Sequence, residues 1–339
     1  MNIMNICNKL GYIDMNKIID LPEPFIFVTA GRGTGKTYGA LDTVIDRKMP
    51  ALFMRRTQAQ LDTINKLEFA PIKPVCDDRG LSYDCASINK NCAGYYISED
   101  KKPLIITAAL STISNLRGFD ASDREIIIYD EFIPERHEKT IRNECDAFLN
   151  AYETVNRNRE LKGNKPVKVI CLANSNDIMN PIYTGLRLID TAAKMLEKGQ
   201  EVYRDSRRGL ALIMPQHSPI SDRKNDTALY KLAGDGDFAD MALKNVFSNA
   251  QSLFVVKKPL IEFILKYQIG ELCIYKHKSN GTFYVSLHAS GTPDKKYPAS
   301  DEGYSMARRE ISMVAVQYFR QKIYFENIYA QALFFKVFI

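Results

Sequence analysis

The chain has 339 residues, of which 45% are hydrophobic and 25% are charged, as in a folded globular protein rather than a disordered or fibrous one. No run of about 18 uninterrupted apolar residues occurs, and the first residues lack the pattern of a secretory signal, so we expect neither a membrane span nor a leader. The net charge of +6 lies entirely in residues 241–339, which contain 13 basic and 7 acidic residues. This excess fits a nucleic-acid partner and a solvated surface equally well.

The first predicted element is a β-strand over 25–30, where apolar and β-branched residues follow one another. It leads into a glycine-rich segment and then into a helical pattern that continues to about Asp46. A second helix is predicted at 141–158, because apolar residues recur there at three- and four-residue steps. Further strands are predicted at 51–56, 104–109, 125–130 and 167–173. Strands that alternate with helices indicate an α/β domain with a parallel sheet.

The character of the sequence changes after the last of these strands. Prolines and a polar run predict a linker or lid over 209–245. The remainder contains three strand patterns, two of them joined by a turn at 279–281, and a helical pattern near the end. The three patterns lie at 261–267, 271–277 and 282–288. We therefore divide the chain into an α/β domain over 1–208, a linker over 209–245 and a small α+β domain over 246–339.

The glycine-rich segment carries the strongest chemical signal. It matches the pattern G-x-x-x-x-G-K-[ST], with Ala30 in the place of the first glycine. Its glycines let the backbone turn N–H groups inward around phosphates, and the next helix points its positive end at the same anion. Thr37 would also hold Mg²⁺. The predicted phosphate-binding residues are Gly31, Arg32, Gly33, Thr34, Gly35, Lys36 and Thr37.

The strand over 125–130 ends in two carboxylates, Asp130 and Glu131. Ligands of open α/β sheets bind at the carboxyl edge, so both should lie near the glycine-rich segment. Asp130 is predicted to hold Mg²⁺ through water, and Glu131 to orient and deprotonate an attacking water. Asn174 ends the next strand and is a candidate sensor of the γ-phosphate, although an ordinary asparagine in a turn explains it equally well.

Five arginines are further candidates. Arg157 and Arg159 lie at the end of a predicted helix, where an arginine can reach a neighbouring subunit's nucleotide or can simply suit the helix terminus. Arg55 and Arg56 close a strand at the same edge of the sheet, where they could contact DNA or phosphate. Arg117 lies in a predicted loop before the strand that ends in Asp130.

In this combination and order, the motifs resemble those of the DNA-packaging (encapsidation) ATPases of small phi29-type podoviruses. The resemblance spans roughly residues 20–190, with departures at Ala30 and Ala173. The segments that carry it are 30–37, 128–133, 156–160, 170–175 and 180–181. It implies an α/β P-loop NTPase of the additional-strand (RecA-like) type, related to large terminases. It also implies a C-terminal RNase H-like domain that binds nucleic acid and has lost nuclease chemistry.

The resemblance further implies a ring-forming ATPase that uses ATP and Mg²⁺ to translocate double-stranded DNA through a portal into a procapsid. The ring is expected to be a homo-oligomer, a pentamer by analogy, without a membrane partner, and packaging RNA is left open as a further partner. The expected location is the host cytoplasm, docked on the procapsid and absent from the mature virion.

Residue by residue, the resemblance assigns roles to the candidates named above. Lys36 and Thr37 would bind phosphate and Mg²⁺, and Asp130 would be the Walker B acid beside the catalytic Glu131. The remaining roles are a trans-acting arginine finger for Arg157, a second trans-acting basic residue for Arg117 and a coupling residue for Asn174.

Three other functions stay open from the sequence. A large-terminase-like translocase with residual nuclease activity needs three or four clustered carboxylates around two metals. Glu262 and Asp294 could begin such a cluster, but the other acids of this region fall on predicted loops or helix. A P-loop phosphotransferase is disfavoured by Glu131 directly after Asp130. The third alternative is a ring component that binds ATP without hydrolysing it.

Overall fold

The computed structural model describes residues 6–98, 100–116, 121–135, 138, 141–175, 177–224, 226–233 and 254–339. The chain forms two compact units. The first combines Met1–Gly185 with Lys194–Ser248, and the second combines Leu186–Ala193 with Asn249–Ile339. Within the described ranges, no helix has the length and apolar character needed to cross a membrane.

A large mixed sheet forms the centre of the first unit. Its described strands run in the order β3-β4-β5-β2-β6-β7-β1-β9-β8, and the neighbours from β5 to β9 are parallel. Antiparallel strands complete both edges. The bounds are β1 (Phe25–Ala30), β2 (Ala51–Arg55), β3 (Tyr83–Asn89), β4 (Cys92–Ile97), β5 (Ile105–Ala109), β6 (Ile126–Asp130), β7 (Lys168–Asn174), β8 (Val202–Asp205) and β9 (Leu210–Ile213).

The predicted parallel α/β sheet is thus confirmed, and five of its strands lie within one residue of their expected bounds. These are the strands whose sequence is nearly all apolar. Every residue of β5 and β6 is buried, as expected for parallel strands with helices on both faces. The apolar runs therefore located the centre of the sheet correctly.

Helices connect and cover these strands. The helix after β1 buries Ala40, Leu41 and Val44 in the same core as the sheet. The helix predicted at 141–158 is present and slightly shorter. The bounds are α1 (Met15–Ile19), α2 (Lys36–Asp46), α3 (Gln58–Ile64), α4 (Lys73–Arg79), α5 (Glu144–Asn156), α6 (Pro181–Gly185), α7 (Ile189–Glu197), α8 (Pro219–Lys224) and α9 (Ala228–Ala233), with 3-10 turns at Leu67–Phe69, Leu110–Leu116 and Glu160–Lys162.

The expected linker over 209–245 begins inside the sheet, which corrects the predicted boundary at 208. Leu210–Ile213 is fully buried and pairs in parallel with β1, with Phe25 opposite Leu210. A run of five apolar residues before a proline has no periodicity that distinguishes a strand from the start of a loop. Pairing with β1 on one side and with β8 on the other makes it a strand. The other described residues of that range include α8 and α9.

The second unit contains a five-stranded sheet in the order β13-β10-β11-β12-β14 among its described residues. The turn predicted at 279–281 is confirmed, since His277 N donates to Thr282 O at 2.8 Å and Gly281 has a φ of +72°. The predicted terminal helical pattern is divided by β14. The bounds are β10 (Phe263–Ile269), β11 (Leu272–His277), β12 (Phe283–Ser286), β13 (Lys295–Tyr297), β14 (Ile323–Phe325), α10 (Asp301–Glu310), α11 (Met313–Phe319) and α12 (Ile328–Phe338).

Candidate nucleotide site

The glycine-rich segment forms a loop between β1 and α2 at the carboxyl edge of the parallel strands. Gly33 and Gly35 have φ angles of +67° and +84°, a region that favours glycine over any residue with a side chain. Gly35 also caps the N-terminus of α2 and, being a glycine, offers no side chain as a cap. A loop and a helix end of this kind form a binding site for an anion.

Lys36 lies buried beneath this loop. Its ammonium donates to the carbonyl oxygens of Ala30 at 3.0 Å and Gly31 at 2.8 Å. A third contact, at 3.2 Å, joins it to Oδ1 of Asn174 at the end of β7. The predicted sensor residue and the predicted phosphate-binding lysine are therefore in direct contact.

The charge of Lys36 is poorly compensated in its surroundings. Burial lowers the pKa of Lys36 to about 7, because an ammonium loses its hydration there. Asp130 and Glu131 favour the charged form, whereas Lys224 and Arg32 disfavour it. A phosphate group would supply the missing negative charge at this position.

Thr37 and Asp130 bring two oxygen donors together. Thr37 Oγ1 donates to Asp130 Oδ1 at 2.9 Å. The other carboxylate oxygen, Oδ2, is buried and has no hydrogen-bond partner of good geometry, although Arg55 Nη2 lies 3.0 Å away. A hydroxyl beside an incompletely satisfied carboxylate matches the oxygen ligands that Mg²⁺ prefers. The residues present therefore fit this ion.

Glu131 follows β6 with a φ of +56°, a conformation that costs a residue with a side chain about 1–2 kcal/mol. Its carboxylate contacts Nη1 of Arg55, so one guanidinium pairs with both Glu131 and Asp130. Partial burial raises the pKa of Glu131, against the opposing effect of Arg55, and Asp130 adds to the increase. A carboxylate with a raised pKa suits a general base, but it must leave Arg55 before it can accept a proton from water.

A cavity of about 470 Å³ unites these groups. It contains the predicted phosphate-binding residues other than Gly31, both carboxylates and the predicted sensor, and adds Tyr38 and Ala173. The lining residues are Arg32, Gly33, Thr34, Gly35, Lys36, Thr37, Tyr38, Asp130, Glu131, Ala173 and Asn174. Segments that lie more than a hundred residues apart in the sequence thus share one pocket.

Arg157 lies away from this pocket. It ends α5 and lines a second cavity, of about 720 Å³, together with Glu125 and Lys168 at the amino ends of β6 and β7. This is the opposite edge of the sheet from the glycine-rich loop. Arg159 is held nearby, where it donates to the backbone carbonyls of Ser122 and Arg124. Neither arginine lines its own chain's nucleotide pocket.

The structure corrects the expectation for one of two other arginines. Arg55 pairs with the pocket carboxylates Asp130 and Glu131, and its contact with DNA or phosphate stays a prediction. Arg56 is fully buried, where its Nε and Nη2 bind both oxygens of Glu144 at 2.7 and 3.0 Å and its Nη1 binds Glu138 at 2.8 Å. Its guanidinium is therefore unavailable to DNA or phosphate. Arg117 lies outside the described residues.

Because Arg56 is buried and paired, we expect Arg56→Ala to lower the free energy of unfolding by about 3–5 kcal/mol, since it leaves buried Glu144 without its charged partner. Arg47→Ala is the matched control, because Arg47 pairs with Asp20 near the surface, where such a pair contributes about 0–1 kcal/mol. Denaturant titration of both variants checks the difference. Equal losses would show that burial of the Arg56 pair has no special role.

The sequence did not indicate Lys224 as a site residue. Its ammonium donates to the Arg32 carbonyl at 2.6 Å, so a lysine from α8 lies against the glycine-rich loop. Glu135 was missed as well, and it pairs with the Arg32 side chain. Neither residue belongs to a recognisable motif. The fold alone brings each of them to the loop, so the sequence carries no signal for either.

Comparison with known proteins identifies a matching family model and related proteins. The family model described as Podovirus DNA encapsidation protein (Gp16) matches residues 7–324. The DNA packaging protein of Bacillus phage phi29 is 25% identical over 287 residues, or 82% of this chain and 79% of that protein. The DNA packaging protein of Bacillus phage B103 is 32% identical over 133 residues, or 39% of this chain and 37% of that protein.

Two solved structures share the fold. One is a chain of the bacteriophage Phi-29 viral genome packaging motor assembly, with a TM-score of 0.67 and 17% identity over 96% of this chain and 98% of that one. The other is the Phi-28 gp11 DNA packaging motor, with a TM-score of 0.67 and 14% identity over 95% and 96%. At these identities, the likeness concerns the fold alone.

Proposed function

Since this chain belongs to the podovirus DNA encapsidation family, we propose that it is the packaging ATPase that couples hydrolysis of Mg²⁺-ATP to translocation of double-stranded DNA into a procapsid. The observation that carries the proposal is the pocket in which Lys36, Thr37 and Asp130 meet at the glycine-rich loop. The related packaging proteins of phages phi29 and B103 support the role in DNA packaging.

The strand order supports a P-loop NTPase core of the additional-strand, RecA-like type. β7 lies between β1, which precedes the loop, and β6, which ends in Asp130 and Glu131. This intervening strand brings Asn174 into the pocket beside Lys36. It thus provides a polar group that can contact both the attacking water and the γ-phosphate.

Each group of the pocket has a distinct task in hydrolysis. The loop N–H groups and Lys36 hold the β- and γ-phosphates, while Thr37 and Asp130 would hold Mg²⁺. When bound, this ion neutralises charge that develops on the phosphate oxygens. Glu131 orients the water and takes its proton once Arg55 has released the carboxylate.

Arg157 supports assembly into a ring. Its place at the opposite edge of the sheet makes it unsuited to its own pocket and suited to a neighbouring subunit's nucleotide. We propose a homo-oligomeric ring, with a pentamer expected, that docks on the portal of a procapsid during packaging. The basic excess of residues 241–339 would favour nucleic acid.

The nuclease alternative gains no support from the second unit. Its candidate acids are paired with separate partners: Glu262 with His277 at 3.8 Å, Asp294 with Lys266 at 3.1 Å, and Glu310 with Lys295 at 3.0 Å. Among the residues that the structure describes, no three potential metal ligands form a cluster. We therefore propose translocation without cleavage.

Phosphate release in the presence of DNA and procapsids tests the function. The wild-type chain should hydrolyse ATP and protect DNA from nuclease, and both activities should stop when Mg²⁺ is chelated. Lys36→Ala should lower turnover by about 10²–10³-fold, since it removes one charged donor from the phosphates. Turnover that Lys36→Ala leaves intact, or phosphate transfer to an acceptor other than water, would contradict the proposal.

A further inference from the structure

A second lysine ammonium lies directly over the glycine-rich loop. Lys224 is the last residue of α8, and its Nζ donates to the Arg32 carbonyl at 2.6 Å. A Cβ placed on Gly33 would overlap this Nζ, so the lysine occupies the space that the missing side chain leaves. The absence of a side chain at Gly33 therefore leaves room for Lys224 and also permits the positive φ of the turn.

The ammonium of Lys224 has no acidic partner among the residues that the structure describes. Arg32, from the same part of the loop, pairs with Glu135, and Arg55 pairs with Glu131. The Lys224 ammonium instead donates to a neutral carbonyl, and partial burial lowers its pKa. A partly dehydrated ammonium without a carboxylate gains the most from an anion in the adjoining pocket.

The position of Lys224 is set by contacts at the other end of its helix. Ser218, just before α8, donates from Oγ to the carbonyl of Gly11 at 2.8 Å, and Gly11 lies against Pro219. Two residues on, the N–H of Ile13 donates to the Thr34 carbonyl at 3.0 Å. The N-terminal segment therefore contacts both α8 and the glycine-rich loop, and it fixes the position of one relative to the other.

Lys224 approaches the loop on the side of Arg32 and Gly33. The Arg32 side chain turns toward Glu135, which follows the carboxylates Asp130 and Glu131 in the chain. Lys36 donates instead to the carbonyls of Ala30 and Gly31, at the start of the loop. In the proposed reaction the terminal phosphate is the one nearest to Glu131 and its water, so a phosphate bound on the Arg32 side of the loop is expected to be the terminal one.

We propose that Lys224 is a second phosphate-binding lysine, which exchanges the Arg32 carbonyl for the terminal phosphate of a bound nucleoside triphosphate. This inference rests on the proposed ATPase function. It gives α8 a direct contact that exists with a triphosphate and is lost with a diphosphate. The segment around Lys224 would then distinguish the two nucleotide states.

The proposal is tested by measuring how tightly Lys224→Gln binds two probes. These are a non-hydrolysable ATP analogue and ADP, each with Mg²⁺. Removing one charge-assisted hydrogen bond should weaken binding of the analogue by about 10–100-fold and leave ADP within about threefold. Lys224→Arg should restore most of the affinity. Lys231→Gln, at an exposed position on α9, is the matched control and should bind both probes normally.

A second measurement uses the unaltered protein. An amine-reactive reagent should label Lys224 in the free chain, and the ATP analogue should protect it more strongly than ADP does. Equal protection by the two nucleotides, or an equal loss of affinity for both in Lys224→Gln, would overturn the assignment to the terminal phosphate. If Lys36→Ala abolishes binding of the analogue while Lys224→Gln does not, only this inference fails. If the wild-type chain does not bind the analogue, the proposed function fails with it.

Discussion

Glu131→Gln is expected to lower ATP turnover by about 10²–10⁴-fold and to leave ATP affinity within a few fold of wild type. Glutamine keeps the size of the side chain, but its amide cannot accept a proton from the attacking water. The phosphate-binding groups remain, because Lys36 and Thr37 make their contacts independently of Glu131. Affinity and turnover should therefore separate in this variant.

Single-turnover phosphate release and binding of a fluorescent ATP derivative measure the two quantities. Glu153→Gln is the matched control, since Glu153 is exposed on α5 and outside the pocket. It should behave as wild type in both assays. If Glu131→Gln kept more than about a tenth of the turnover, Glu131 would not be the general base. A parallel loss of ATP binding would instead assign it to nucleotide binding.

Burial of Glu131 and its pairing with Arg55 have opposite effects on the ability of the carboxylate to accept a proton. Partial burial and Asp130 make the carboxylate a better proton acceptor, whereas the guanidinium opposes this while it is bound. Release of Arg55 would raise the affinity of Glu131 for a proton further. The ion pair thus favours a resting state in which the base is occupied.

Arg157→Ala should reduce turnover of the assembled ring by about 10³–10⁵-fold, the range measured for arginine fingers. The reason is positional, since Arg157 lies at the edge of the sheet opposite its own pocket, and in the proposed ring it would act on a neighbour's nucleotide. Arg159→Ala is the control, because that guanidinium is bound to the carbonyls of Ser122 and Arg124. It should have a much smaller effect on turnover.

Mixing two inactive variants distinguishes action in trans from action in cis. An Arg157→Ala subunit keeps Glu131, and a Glu131→Gln neighbour keeps Arg157, so their shared interface contains both groups. Steady-state phosphate release should therefore return in the mixture and be absent from each variant alone. If every mixing ratio stays inactive under conditions where wild-type subunits exchange, Arg157 does not act in trans.

The sequence determined those features that depend on contiguous residues. Apolar runs located the parallel strands, and the glycine spacing located the loop, whose positive φ angles at Gly33 and Gly35 require that residue type. The run that ends in Asp130 and Glu131 placed both carboxylates at the edge of the sheet where Lys36 lies. The order of these motifs also indicated the family, which the comparison confirms.

Other features were decided by tertiary structure. Arg55 ends β2 and Arg56 follows it, yet one pairs with the pocket carboxylates and the other is buried against Glu144. Sequence patterns describe which face of an element is apolar, but not which distant segment covers it. Leu210–Ile213 is a strand because it pairs with β1 and β8, and Lys224 reaches the loop because Ser218, just before its helix, binds Gly11, 207 residues away in the sequence. Such pairings depend on the order of strands in the sheet, which no local signal encodes.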